Sequence, residues 1–275
     1  MRAWAWASVA ANVAIATTGG LVRLTGSGLG CPTWPRCTDA SYTPHSAMGV
    51  HAAIEFGNRM VTIVVVAVAV VTWLVVMSHR PRRTDLRRLA TFALLGVPLQ
   101  AAVGGISVLT GLNPWIVSTH FLISLVMVSL TATLARRAGP SAESHLPPAV
   151  RALAALCLIA AWLVFLLGTM VTGAGPHAGD PGSGRNGFDE TAISQLHADA
   201  VCVLFGATVA LVVVAWSTKT TRTVRRLAVL MLATELAQGA VGFTQYFTGL
   251  PWGLVLVHLA LAAALAGLVT VLFDH

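Results

Sequence analysis

Charge is what this sequence has least of. Only 10% of its 275 residues are charged, where a water-soluble protein carries roughly 25%, while 56% are hydrophobic. That scarcity excludes a soluble globular domain, which needs a charged surface to face water. A cleavable leader is also missing by pattern: no small-residue cleavage site follows a short apolar core, so the first apolar segment is expected to be a retained helix. The excess of 17 Lys and Arg over 10 Asp and Glu does not point to nucleic acid, because the basic residues sit in segments that flank apolar stretches.

Those stretches reach the length, about 20 residues, that crosses a bilayer. Eight are expected, at 3–22, 47–77, 89–110, 113–135, 150–172, 191–216, 225–247 and 251–273. The fold class read from them is all-α, a polytopic membrane protein. Thirteen basic residues (Arg2, Arg80, Arg82, Arg83, Arg87, Arg88, Arg136, Arg137, Arg151, Lys219, Arg222, Arg225 and Arg226) fall on one side of the membrane. Three, Arg23, Arg36 and Arg185, fall on the other, and Arg59 lies inside a span. The positive-inside rule then puts both termini in the cytoplasm and the loops 24–46 and 173–190 outside.

The chain also repeats itself. LQAAVGGISVLTGLNPWIVSTH at 99–120 is answered by AQGAVGFTQYFTGLPWGLVLVH at 237–258. Gln100 precedes His120 by 20 residues and Gln238 precedes His258 by 20. Gly104 answers Gly242, and Thr25-Gly26-Ser27-Gly28 answers Thr172-Gly173-Ala174-Gly175. Two four-helix bundles in parallel orientation are expected, one over 1–140 and one over 141–275. Parallel repeats occur in transporters as well as enzymes.

Polar and ionisable residues inside spans are costly and mark function by default. They are His51, Glu55, Asn58 and Arg59 on the second span, His120 on the fourth, His197 and Asp199 on the sixth, Glu235 on the seventh and His258 on the eighth. One such histidine is as often a polar bridge between helices. Several on even-numbered helices at matched depth suggest more, because neutral imidazoles on facing helices clamp a heme iron. His197 and His258 are placed to face one another in this way.

The TGSG…C…C outer loop, Glu55-Phe56-Gly57-Asn58-Arg59, and the LQAAVGG…TG…P…H block with its second copy resemble the heme A synthase family. The similarity runs over essentially the whole chain. The resemblance implies a cell-membrane oxidoreductase of heme A and porphyrin biosynthesis, which oxidises a methyl group of heme O to a formyl group for terminal oxidases. It implies that His197 and His258 hold a heme b, that the N-terminal half holds the substrate heme, and that Glu55 is catalytic. A heme O synthase and oxidase assembly factors are the expected partners, and a homo-oligomer is plausible for so small a bundle.

The sequence departs from the family at Asn58, where the usual motif has a histidine. An amide is a poor iron ligand. In one reading His51, on the same helix face as Asn58, replaces it. In the other, His120 holds the substrate iron alone and leaves a coordination position open. His120 with His51 in a weaker role is the arrangement carried forward. Glu55 could relay protons or merely form an i,i+4 ion pair with Arg59, and Arg59 could instead bind a heme propionate.

Cys31 and Cys37 lie in the outward loop, where thiols oxidise, and a disulfide is expected if their Cα atoms come within about 7 Å. Cys157 and Cys202 read as small residues of apolar spans. The 173–190 loop has turn chemistry and is expected to form a lid over the second heme, with Arg185 near a propionate. Its His177, Asp180, Asp189 and Glu190 match no compact metal site. Two other classes share these features: a diheme electron carrier or quinol-oxidising subunit, and a heme-handling transporter or chaperone.

Overall fold

The computed structural model describes residues 1–139, 146–218 and 220–275. Lys219, used above for topology, and the expected boundary at 140/141 lie outside the described residues. Within them run eight long helices: α1 (Arg2–Leu24), α2 (Gly49–Ser78), α3 (Thr84–Leu109), α4 (Pro114–Arg137), α5 (Pro148–Ala174), α6 (Glu190–Ser217), α7 (Arg222–Phe247) and α8 (Trp252–Phe273). Each is long and apolar enough to cross a membrane, so the chain is an all-helical, multi-pass membrane protein. Several helices overrun the apolar spans, α3 beginning at Thr84 rather than 89 and α1 ending at Leu24 rather than 22. Hydropathy reports where lipid lies, whereas a nucleated helix extends for as long as its backbone bonds continue.

Local chemistry sets the helix starts. Asn113 accepts the Trp115 amide at 3.0 Å, with Pro114 in the first turn of α4. Asp189 caps α6 through Ala192 N at 2.8 Å, and Thr221 caps α7 through Val224 N. The α3–α4 and α7–α8 turns share one backbone. Gly111 and Leu112 have φ of 62° and 60°, and Gly249 and Leu250 have 77° and 58°. A leucine in the left-handed region is strained, and the same strain at both copies shows that the repeat extends to turn geometry.

Helices α1–α4 pack in a ring, each against its sequence neighbour and α1 against α4, and α5–α8 do the same. The two rings meet through α4 against α8, flanked by α1 against α8 and α4 against α5. The largest buried cluster lies mainly among α5–α8, with Leu125 of α4 joining it, and includes Leu204, Leu211, Met231 and Leu272. Phe243, Phe247 and Ile159, by contrast, are exposed, as side chains facing acyl chains are.

Polar clamps join the rings at both ends. Near the disulfide, Arg23 donates from Nε to the His177 carbonyl at 2.7 Å and from Nη2 to that of Thr172 at 3.0 Å. At the end carrying the termini, Asp274 accepts from both Arg136 and Arg137.

Candidate functional site

Each histidine on an even-numbered helix from α4 onward lies over a glycine of the preceding helix. A Cβ on Gly104 of α3 would sit 3.2 Å from His120 Cε1, one on Gly168 of α5 would sit 3.2 Å from His197 Cε1, and one on Gly242 of α7 would sit 3.4 Å from His258 Cε1. The imidazoles therefore occupy space that any side chain would take. Their Nδ1 atoms are buried, with the backbone of Val164 beside His197 and that of Gln238 beside His258, while His120 Nδ1 has no partner. His197 and His258 are near enough to interact electrostatically. The α5–α8 ring thus brings two predicted ligands together, and the α1–α4 ring holds one, His120.

The remaining N-terminal candidates have partners of their own. Asn58 Oδ1 accepts from Thr18 Oγ1 of α1 at 2.7 Å, so the amide at the usual histidine position is spent on a helix–helix bond. His51 is exposed at the start of α2, its Nδ1 paired with Ser27 Oγ at 2.9 Å. Its backbone lies against Gly30, where a Cβ would collide with the His51 carbonyl carbon and the Ala52 nitrogen.

Glu55 and Arg59 form the expected i,i+4 pair at 2.6 Å, and both reach further. Glu55 Oε2 accepts the Cys31 amide. Arg59 donates to the carbonyls of Thr33 at 3.0 Å and Arg36 at 3.1 Å, so its donors hold backbone. Cys31 and Cys37 are joined in a disulfide, with Cα atoms 4.4 Å apart and neither sulfur-bearing residue exposed. The loop closed by that bond carries Trp34, whose ring packs on Gly105, the neighbour of the glycine beneath His120. Sequence reasoning missed this plug; the signal available was Gly104-Gly105, two glycines with opposite-facing tasks.

At the disulfide end of the α5–α8 ring lies a cavity of about 470 Å³, bounded by Gly175, Arg185, Glu190, Tyr246 and Leu250. Gly175 and Glu190 stand seven residues from Gly168 and His197, and Tyr246 four from Gly242. Those spacings put all three on the faces that carry the histidine site, one to two turns beyond it. The 173–190 loop runs past this mouth as turns and bends. Within it His177 Nε2 donates to the Leu250 carbonyl at 2.8 Å, and Asp180 and Asp189 cap local amides. Asp199 is exposed and accepts from Gln195 Nε2 at 2.8 Å.

The family described as cytochrome oxidase assembly protein matches residues 2–270. A heme A synthase of Listeria welshimeri is 29% identical over 140 residues, 49% of this chain and 44% of that relative. A heme A synthase of Bacillus pumilus is 34% identical over 122 residues, 42% and 38% of the two chains. One of Bacillus licheniformis is 33% identical over 113 residues, 39% and 35%. The matched stretch spans less than half the length of each of these relatives.

Proposed function

The chain belongs to the cytochrome oxidase assembly protein family, and from that premise we propose that it is a heme A synthase, a membrane oxidoreductase that oxidises a methyl group of heme O to a formyl group. The observation that carries the reading is the trio of partly buried imidazoles, each seated over a glycine of the preceding helix. A neutral imidazole on a bundle helix, seated where only glycine leaves room for its ring, suits an iron ligand.

His197 and His258 would hold a resident heme b, and Arg185, at the cavity on the disulfide side of that ring, would meet its propionates. Bound there, the heme supplies one-electron transfer. His120 would hold the substrate heme. With Asn58 tied to Thr18 and His51 to Ser27, it does so as a single histidine, leaving the opposite coordination position free for oxidation.

Converting CH3 to CHO, balanced with one water, releases four protons and four electrons; an external electron acceptor takes the electrons, and a proton acceptor at the N-terminal site takes the protons. Glu55 takes that role, beside the loop whose Trp34 closes over Gly105. Arg59 positions Glu55 and the loop together. The disulfide end faces outward, both termini lie in the cytoplasm, and the two rings act as the substrate and heme b halves. A heme O synthase supplies the substrate, and oxidase assembly receives the product.

The test is to purify the protein from cells that make heme O, extract its hemes in acid-acetone and separate them by chromatography, beside Glu55→Gln. Heme b with heme A or a hydroxylated intermediate in the parent, and heme b with unreacted heme O in the variant, is the expected result. Heme b alone in both overturns the assignment and favours a diheme electron carrier.

A further inference from the structure

A carboxyl group inside the α5–α8 ring has no part in the chemistry above. Glu235 lies halfway along α7 and is 5% exposed. Its Oε1 accepts from Thr208 Oγ1 of α6 at 2.8 Å, and Thr208 Oγ1 stands 3.6 Å from Cys157 Sγ of α5. Its Oε2 is buried with no partner. Unpaired oxygen at this depth is costly, so a retained carboxyl group calls for a use.

The surroundings give that use a direction. Glu235 is seven residues from Gly242, the glycine beneath His258, so it lies two turns away along one face of α7, about 10 Å. Gln238 and Gln245 share that face, and the Oε1 of each is also buried and unpartnered. Gln245 is the sequence neighbour of Tyr246, which lines the cavity with Arg185 and Glu190. In the other direction Met231, Ala228 and Val224 of α7 and Leu211 of α6 are fully buried and close the ring with apolar side chains. The polar path therefore leads from Glu235 to the disulfide end.

The first half has only part of this: the Oε1 of Gln100 is likewise buried without a partner, but no carboxyl group stands beyond it. At the same repeat spacing Val97 stands for Glu235 and Ser107 for Gln245, while Gln100, matching Gln238, donates to Ser124 Oγ at 2.6 Å. The feature belongs to the ring with the paired histidines.

We propose that Glu235 is a redox-linked protonation site, in which one electron entering the His197–His258 site is matched by one proton reaching Glu235 Oε2 along the α7 stripe. The proposal rests on the reading that this histidine pair holds a heme b. An added electron in a low-dielectric bundle is stabilised by a positive charge arriving about 10 Å away. The electron comes from a one-electron reductant, the proton from water at the disulfide end, and the carboxylate becomes a carboxylic acid. The other titratable or charged groups on the helices around Glu235 are Arg151 and Cys157 on α5, Glu190, His197, Asp199 and Cys202 on α6, Tyr246 on α7 and His258 on α8. Arg222, Arg225 and Arg226 stand at the far end of α7.

The test is the midpoint potential of the heme in the purified, heme-loaded full chain, titrated optically with dithionite and mediators from about pH 6 to 9. The wild type is expected to fall by up to about 59 mV per pH unit, the value for one proton per electron. Glu235→Gln should lose at least half of that slope with its absorption spectrum unchanged, and Glu235→Asp should keep it. A wild-type potential independent of pH overturns the proposal whatever the variants do, so a variant that fails to fold does not protect it. An unaltered slope in Glu235→Gln also overturns it and assigns the protons to other groups, heme propionates included. A protein with no bis-histidine heme spectrum overturns the heme b reading and this proposal together, whereas the spectrum with a flat potential overturns this proposal alone.

Discussion

The carboxylate of Glu55, in the second turn of α2, accepts the backbone N–H of Cys31, so the proposed catalytic acid–base residue is also the anchor of the disulfide loop. Arg59, one turn along, completes the anchor by binding Glu55 and the carbonyls of Thr33 and Arg36. Changes to the loop and changes to the carboxylate are therefore coupled.

That coupling is measurable without turnover. Glu55→Gln loses a hydrogen bond between charged partners, about 1.5–3 kcal/mol. Amide hydrogen exchange across residues 31–37 should quicken by roughly tenfold or more, while α5–α8 stays at its wild-type rate. Exchange unchanged throughout would separate Glu55 from the loop.

Reducing the disulfide should act on the same segment. A short closed loop contributes roughly 2 kcal/mol on chain-entropy grounds. Cys31→Ser/Cys37→Ser should therefore lift Trp34, already 39% exposed, off Gly105 and shift its fluorescence to the red. With Trp34 the reporter, the other tryptophans are replaced by Phe; an emission maximum equal to that of the parent would show that the disulfide does not hold the plug.

The glycines under the histidines give a steric test. Gly168→Leu places a side chain where His197 sits, 3.2 Å from the position of its Cβ, and should abolish the bis-histidine absorption spectrum. Gly239→Leu, a position with open space around its Cβ, should leave that spectrum intact. Equal heme content in the two purified variants would contradict the seating of His197.

Ligand assignment is checked by substitution at the imidazoles themselves. His197→Ala and His258→Ala should each remove the low-spin b-type signal, and His120→Ala should leave it while lowering retention of heme O. If His120→Ala alone removed the signal, the two rings would have exchanged roles.

Arg23 should be the most stabilising of the inter-ring contacts. Arg23→Leu forfeits two bonds to carbonyls of the 172–177 segment and leaves those carbonyls unpaired, a loss of roughly 2–4 kcal/mol. A fall in the detergent-solubilised Tm of several degrees is expected. No change in Tm would mean that water replaces the guanidinium.

The sequence by itself determined the number and approximate positions of the spans, the repeated motif and the disulfide pair, and it singled out the histidines on which the proposal rests. Each of these is local: hydropathy over about 20 residues, a spacing of 20 repeated, two cysteines six apart in a loop. It also contained both readings of Glu55, as proton carrier and as partner of Arg59. What only the tertiary structure decided was which helix faces meet. Gly168 under His197, Thr18 holding Asn58, Ser27 holding His51, Trp34 on Gly105 and the α7 stripe leading to Glu235 all depend on helix rotation. In a soluble bundle the apolar face announces that rotation, but here lipid and protein interior are equally apolar and hydropathy is nearly blind to it. Rotation is instead set by small residues that let one helix approach another and by polar side chains that must find a partner across the gap, and those partners lie up to 154 residues apart, as Arg23 and His177 do.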